Sequence, residues 1–204
     1  MRKNINTQFA VLLIVAIGFC TCGIAQETES FTDKRDGKEY KSVKIGDQWW
    51  MSENLAYETR SGCLVYEGVE KYLETYGYLY TWETALKVCP DGWHLPSDAE
   101  FEKLSNFLGG PDVAGGKLKE TGTTHWNSPN TGATNSSGFS ALAAGYNGSD
   151  AYKVYIGLMA YFWSYDEGFA DSEVARALYS AKGEFTRYGI TREDGLSVRC
   201  IKDK

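Results

Sequence analysis

A chain of 204 residues with a net charge of −6 is long enough for one domain with a sizeable core. It has no basic cluster, and its net acidity excludes nucleic acid as a partner. Six Trp, 14 Tyr and 22 Gly against four Pro suit a loop-rich α+β or β-rich domain of the exported kind.

The N-terminal end reads as a targeting segment. Arg2 and Lys3 supply a positive start, Phe9–Ile17 an apolar run, and Gly23-Ile24-Ala25 the small residues a signal peptidase reads. Cleavage is expected before Gln26, with residues 1–25 removed. The apolar run is too short to favour a membrane span. Cys20 and Cys22 leave lipoprotein anchoring as an alternative, although Phe19 and Thr21 fit poorly before a lipid-bearing cysteine. Three cysteines then remain, Cys63, Cys89 and Cys200. Export favours a disulfide, and an odd count leaves one thiol over.

Gln26–Arg35 is polar and reads as a flexible lead-in, with the domain proper over 36–204. Tyr40–Ile45 alternates apolar and polar residues and predicts a half-buried strand, which Gly46-Asp47 turns into a returning strand at Gln48–Met51. Tyr57–Tyr76 has no clean period and is expected to be mostly loop. Thr81 opens a helix running through Cys89, with Trp82, Ala85, Leu86 and Cys89 on one face. Pro90-Asp91-Gly92 ends it. Ser97 and Glu100 form a capping box for the next helix, whose apolar stripe is Phe101, Leu104 and Leu108 and whose stop is Gly109-Gly110. Val113–Glu120 predicts a short helical turn, and Thr121–Gly138 a long irregular segment pinned by Trp126. Phe139–Ala144, Ala160–Tyr165, Arg176–Ser180, Phe185–Tyr188 and Leu196–Ile201 are strand candidates.

The signs of chemistry are sparse. His94, between Trp93 and Leu95, reads as a hydrogen-bonded core imidazole, whereas His125 in the Thr/Asn loop is placed to touch a ligand. No His or Cys spacing suits zinc or copper, and Gly138-Phe139-Ser140-Ala141-Leu142 lacks the closing glycine of a hydrolase nucleophile elbow. Asp166-Glu167 and Asp171-Ser172-Glu173 form an acidic cluster that is a candidate for calcium but lacks EF-hand spacing; no cofactor is expected. Aromatics are the remaining signal: Tyr146, Tyr152, Tyr155, Tyr161, Phe162, Trp163, Tyr165, Phe169 and Tyr179 crowd one third of the chain. Most should fill a core. Tyr161, Trp163, Tyr165 and Asp166, flanked by polar residues, are the favoured exposed ligand-binding set.

Several blocks carry a family resemblance. IGDQWWMSENL, YGYLYTWETALKVCPDGWHLPSDAEFEKL, AGGKLKETGTTHWNSPNTGATNSSGFSALAAGYN, YFWSYDE and GLSVRCIKD resemble the Fibrobacter succinogenes major paralogous domain, from about Phe31 to Asp203. The resemblance implies a C-type-lectin-like fold related to the formylglycine-generating enzyme, with two short helices packed on short, twisted antiparallel sheets and long loops. It also implies a bridge between the end of the first helix, WETALKVC, and the last strand, SVRC, which is Cys89–Cys200, leaving Cys63 free. Trp82 and Trp93 become core residues of its base. The Glu-Pro-Asn and Trp-Asn-Asp triplets of calcium-dependent lectins are missing, and the reactive cysteine pair of the oxidase has no counterpart. The expectation is therefore an exported, non-enzymatic binding module that recognises glycan or a surface protein through the Ala143–Tyr188 loops. Alternatives are a structural subunit of a cell-surface assembly and, more remotely, a metal-dependent enzyme.

Overall fold

The computed structural model describes residues 26–204 except 66–68, 149–154 and 169–171. The expected targeting segment with Cys20 and Cys22, and also Tyr152, Phe169 and Asp171, lie outside the described residues. The rest is an α+β arrangement of four helices and three small antiparallel sheets. No described helix is long and apolar enough to cross a membrane.

The largest sheet has five strands. The hairpin forms as its alternation dictates: β2 (Glu39–Ile45) and β3 (Gln48–Met51) pair from Ser42↔Met51 to Ile45↔Gln48 around the Gly46-Asp47 turn. The polar lead-in contains a strand. Thr28–Thr32 forms β1, an edge strand in register with β2 from Thr28↔Val43 to Thr32↔Glu39. One apolar residue anchors it, since Phe31 stacks on Trp93 with ring centroids 4.3 Å apart. An edge strand exposes most of its side chains, so its polar composition resembles that of a loop.

The supposed loop over Tyr57–Tyr76 also contains structure. Cys63–Leu64 (β4) pairs with Leu79–Tyr80 (β5), and Glu70–Tyr76 is helix α1. The two expected helices follow as α2 (Trp82–Val88) and α3 (Asp98–Phe107), separated by β6 (Trp93–His94). Thr81 sits at the N-cap of α2, but its hydroxyl bonds Thr84 Oγ1 rather than a helix N–H. The capping box of α3 is complete: Ser97 Oγ accepts from the Glu100 N–H, and Glu100 Oε2 accepts from the Ser97 N–H at 2.9 Å. Helix α4 spans Pro111–Leu118. Its two glycines admit close backbone neighbours: a Cβ on Gly115 would lie 2.1 Å from Glu184 O, and one on Gly116 2.3 Å from Gly132 O.

The second large sheet is β7 (Met159–Trp163), β8 (Ser172–Tyr179) and β9 (Thr186–Thr191), in that order. Phe139–Ala144 makes isolated bridges instead of a strand, and Leu196–Ile201 contributes only its end, to β10 (Ile201–Lys202). Strand β10 lies between β3 and β6 in the five-stranded sheet.

Two hydrophobic clusters make the core. One gathers Tyr40, Trp82, Trp93, Tyr161, Trp163 and Val198; the other gathers Trp50, Phe101, Trp126, Phe139, Phe162 and Phe185. Strand β7 runs between them, sending Tyr161 and Trp163 to the first and Ala160 and Phe162 to the second. The Cys89–Cys200 disulfide joins the end of α2 to the residue before β10, and Cys63 is free.

Candidate functional site

The location of β7 between two cores decides the fate of the expected ligand-binding set. Trp163 is 0% exposed, and its indole N–H donates to Tyr80 O at 2.6 Å. Tyr161 is buried too, with its hydroxyl on Met159 Sδ. The expectation of exposure is corrected for both: a strand covered on each face has no solvent side, whatever its polar flanks. Tyr165 does stand out, 59% exposed. Asp166 beside it accepts from the first N–H of α3, at Asp98, and from Ser164 Oγ, so its carboxylate caps a helix. Tyr165 and Asp166 share a shallow hollow of about 260 Å³ with Trp82, Leu86 and Glu167.

His94 is not a core imidazole: it lies half-exposed between two carboxylates, with Asp203 2.6 Å from Nδ1 and Glu100 3.0 Å from Nε2. Partial burial disfavours the charged ring, but the two carboxylates outweigh it and raise the pKa. His125 meets Glu120 Oε2 at 2.8 Å and packs edge-on against Tyr76. Of the acidic cluster, Glu173 is buried and paired with Arg192. Among the described residues no three His, Cys, Asp or Glu side chains converge as metal ligands. Cys63 exchanges hydrogen bonds with the backbone of Thr59.

Two arrangements remain with the makings of a recognition surface. The first is a run of five tyrosines. Tyr155 stacks on Tyr146 at 5.8 Å, Tyr146 meets Tyr161 at 5.4 Å, Tyr161 meets Tyr188 at 6.2 Å, and Tyr188 meets Tyr179 at 6.4 Å. Tyr161 is the buried root, while Tyr155 and Tyr188 are 38% and 43% exposed. The hydroxyls of Tyr179, Tyr188 and Tyr161 lie close enough to influence one another. Burial, reinforced by these neighbours, pushes the Tyr179 phenol well above its usual range. The rings are thereby fixed in place, and Leu158 stands exposed on the same stretch of chain.

The second is a polar cleft of about 490 Å³. Lys38 comes from the turn before β2 and Lys41 from β2 itself, Glu53 from the chain after β3, Glu74 from α1, and Ser140 from the bridged stretch Phe139–Ala144. Arg199 lines it from below. Its guanidinium is wholly buried and donates to Asn54 Oδ1 at 2.6 Å, Met51 O at 3.1 Å, Phe139 O at 2.5 Å and Ser140 O at 3.0 Å. Every acceptor is neutral. Desolvation lowers its pKa to about 9, with only Glu53 opposing. Sequence reading missed Arg199, because strand alternation around Val198 and Cys200 points an intervening basic residue to solvent.

A family model for the Fibrobacter succinogenes major domain matches residues 43–202. The chain belongs to that family. Neither the curated proteins nor the solved structures compared with it gave a match. The family span begins within β2 and ends with β10, so all five tyrosines and Arg199 lie inside this Fibrobacter succinogenes major domain. Strand β1 and the cleft residues Lys38 and Lys41 lie outside it.

Proposed function

We propose that this protein is an exported, non-enzymatic binding module of C-type-lectin-like architecture that recognises glycan through its aromatic face. The observation that carries the reading is the fixed tyrosine run, with Tyr155 and Tyr188 exposed above a buried Tyr161. Sugar C–H faces stack on such rings, and rings held by neighbours lose little conformational entropy on binding. This recentres recognition from Trp163 and Tyr165 to Tyr146, Tyr155 and Tyr188, still within the Ala143–Tyr188 stretch. The disulfide supports export, since such bridges persist in oxidising compartments. It also joins the two segments that the lectin-like pattern joins.

The test is a glycan array followed by titration of the hits. A Tyr155→Ala/Tyr188→Ala variant should lose about tenfold or more in affinity, the scale of one or two lost stacking contacts. Tyr165→Ala serves as an exposed aromatic control and should bind as the parent does. Unchanged binding in the double variant would remove this face from consideration. The reading as a surface-assembly subunit draws support from β9, which forms one edge of its sheet and has mostly exposed residues.

A further inference from the structure

The Arg199 cleft is unrelated to the tyrosine run, and its chemistry is of another kind. A guanidinium has five N–H donors. Four are taken by Asn54, Met51, Phe139 and Ser140, and the fifth, on Nη2, meets no acceptor among the described residues. Its bonded partner on that nitrogen, Ser140, lines the cleft together with Arg199. Among the described residues no carboxylate lies within ion-pair distance of Arg199 or of the two lysines of the cleft, so three cations flank one hollow without a bonded anion. A buried cation in that condition attracts an anion strongly, because little solvent screens it.

The acidic residues narrow the ligand. Glu53 and Glu74 also line the cleft without an ion-pair partner, and Glu120 is held there by His125. They repel a compact dianion such as phosphate but accept hydrogen bonds from hydroxyl groups. Ser52, Thr75 and Ser140 add further polar contacts. The volume falls within the range of small-molecule sites.

We infer that this cleft binds a small hydroxylated monocarboxylate, of which a uronic acid is the fitting chemistry. The carboxylate accepts from Arg199 Nη2 and Lys41, and the hydroxyls donate to Glu53 and Glu74. One ligand thus answers both signs of charge, and the site is separate from the stacking face.

The test is calorimetric titration of the disulfide-bonded protein with glucuronate and galacturonate. Glucose and glucose 6-phosphate serve as the neutral and dianionic comparisons. A uronate should bind, and both comparison sugars should bind about tenfold or more weakly. Lys41→Ala, an exposed change that spares the core, should weaken uronate binding by a similar factor. Arg199 itself is too deeply packed to replace, so its side-chain NMR resonances give the direct readout. They should shift on adding uronate while those of the exposed Arg187 stay in place. Tyr155→Ala/Tyr188→Ala should leave uronate binding unchanged, which separates this site from the glycan-stacking proposal. Absent uronate binding, equal binding of glucose, tighter binding of the phosphate, or unmoved Arg199 resonances would each overturn the assignment.

Discussion

Lys119 offers the sharpest test of how this fold holds together. Its side chain is fully buried, and its ammonium donates to Thr131 O at 2.9 Å, Tyr179 O at 2.8 Å and Lys182 O at 2.8 Å. All three donors are used, and the cation binds α4's end to the irregular loop and to the β8–β9 turn. Desolvation lowers its pKa from 10.5 to about 8. At about 1.36 kcal/mol per tenfold change in proton affinity, keeping the charge at neutral pH costs about 3 kcal/mol. Lys119→Met relieves that cost but strands three buried carbonyls, at about 1–3 kcal/mol each. The net expectation is a loss of about 3 kcal/mol, which for a domain of this size lowers Tm by about 6–12 °C. Urea unfolding at neutral pH measures it directly. The pH dependence adds an independent check. Between about pH 8 and pH 10.5 the folded protein releases the Lys119 proton before the unfolded chain does. The unfolded state then binds more protons, so the parent gains stability relative to the variant as pH rises. A variant as stable as the parent at neutral pH, or a gap that narrows toward pH 10.5, would refute the reasoning.

Two further expectations concern the whole fold. Replacing Cys89 and Cys200 by Ser opens a loop closed over 111 residues, worth about 4.8 kcal/mol in the chain-entropy account and about 2–5 kcal/mol in practice. Denaturation midpoints should drop accordingly, and alkylation of the unreduced parent should label Cys63 alone; a Cys63 bridged in a peptide map would contradict the pairing. Burial raises the phenol pKa values of Tyr40, Tyr80 and Tyr179. Their stabilising contribution is complete below the unfolded value near 10 and is lost as pH climbs past it. Unfolding free energy should therefore fall between about pH 10 and about pH 12, with the tyrosinate absorbance of these three phenols appearing only on unfolding, and a flat profile there would count against buried phenols.

What the sequence disclosed depended on how far apart the interacting residues lie. The capping box at Ser97–Glu100 and the β2–β3 hairpin are settled within a few residues, so both were legible as local patterns. Strand β1 was not, because an edge strand needs only Phe31 to be apolar and borrows the rest of its order from β2. Nor was the burial of Trp163, since only a strand with cores on both faces hides residues of each parity. His94 was misread from its neighbours Trp93 and Leu95; the carboxylate that holds its other nitrogen, Asp203, lies at the far end of the chain. Lys119 and Arg199 were invisible for the same reason, as each takes its carbonyl partners from distant segments. Of the aromatics favoured as exposed, only Tyr165 stands out, while the exposed Tyr155 and Tyr188 were outside that set. The aromatic signal could not choose which rings, because that choice belongs to the pleat of β7.

The C-terminal segment explains why fold and cleft stand together. Leu196 bridges Tyr80, Ser197 bridges Phe162, and Cys200 joins Cys89. Ile201 inserts between Trp50 of β3 and His94 of β6. Six consecutive residues therefore touch both large sheets and the end of α2. Arg199 lies in the middle of this tie, with Val198 packed in one core and Ile201 in the other. Its guanidinium cannot leave the cleft floor without withdrawing the residues that join the sheets. A cation kept in a costly buried position by covalent and sheet contacts on either side is held ready for a ligand before the ligand arrives. That is the condition under which an ionic contact with a ligand costs little reorganisation.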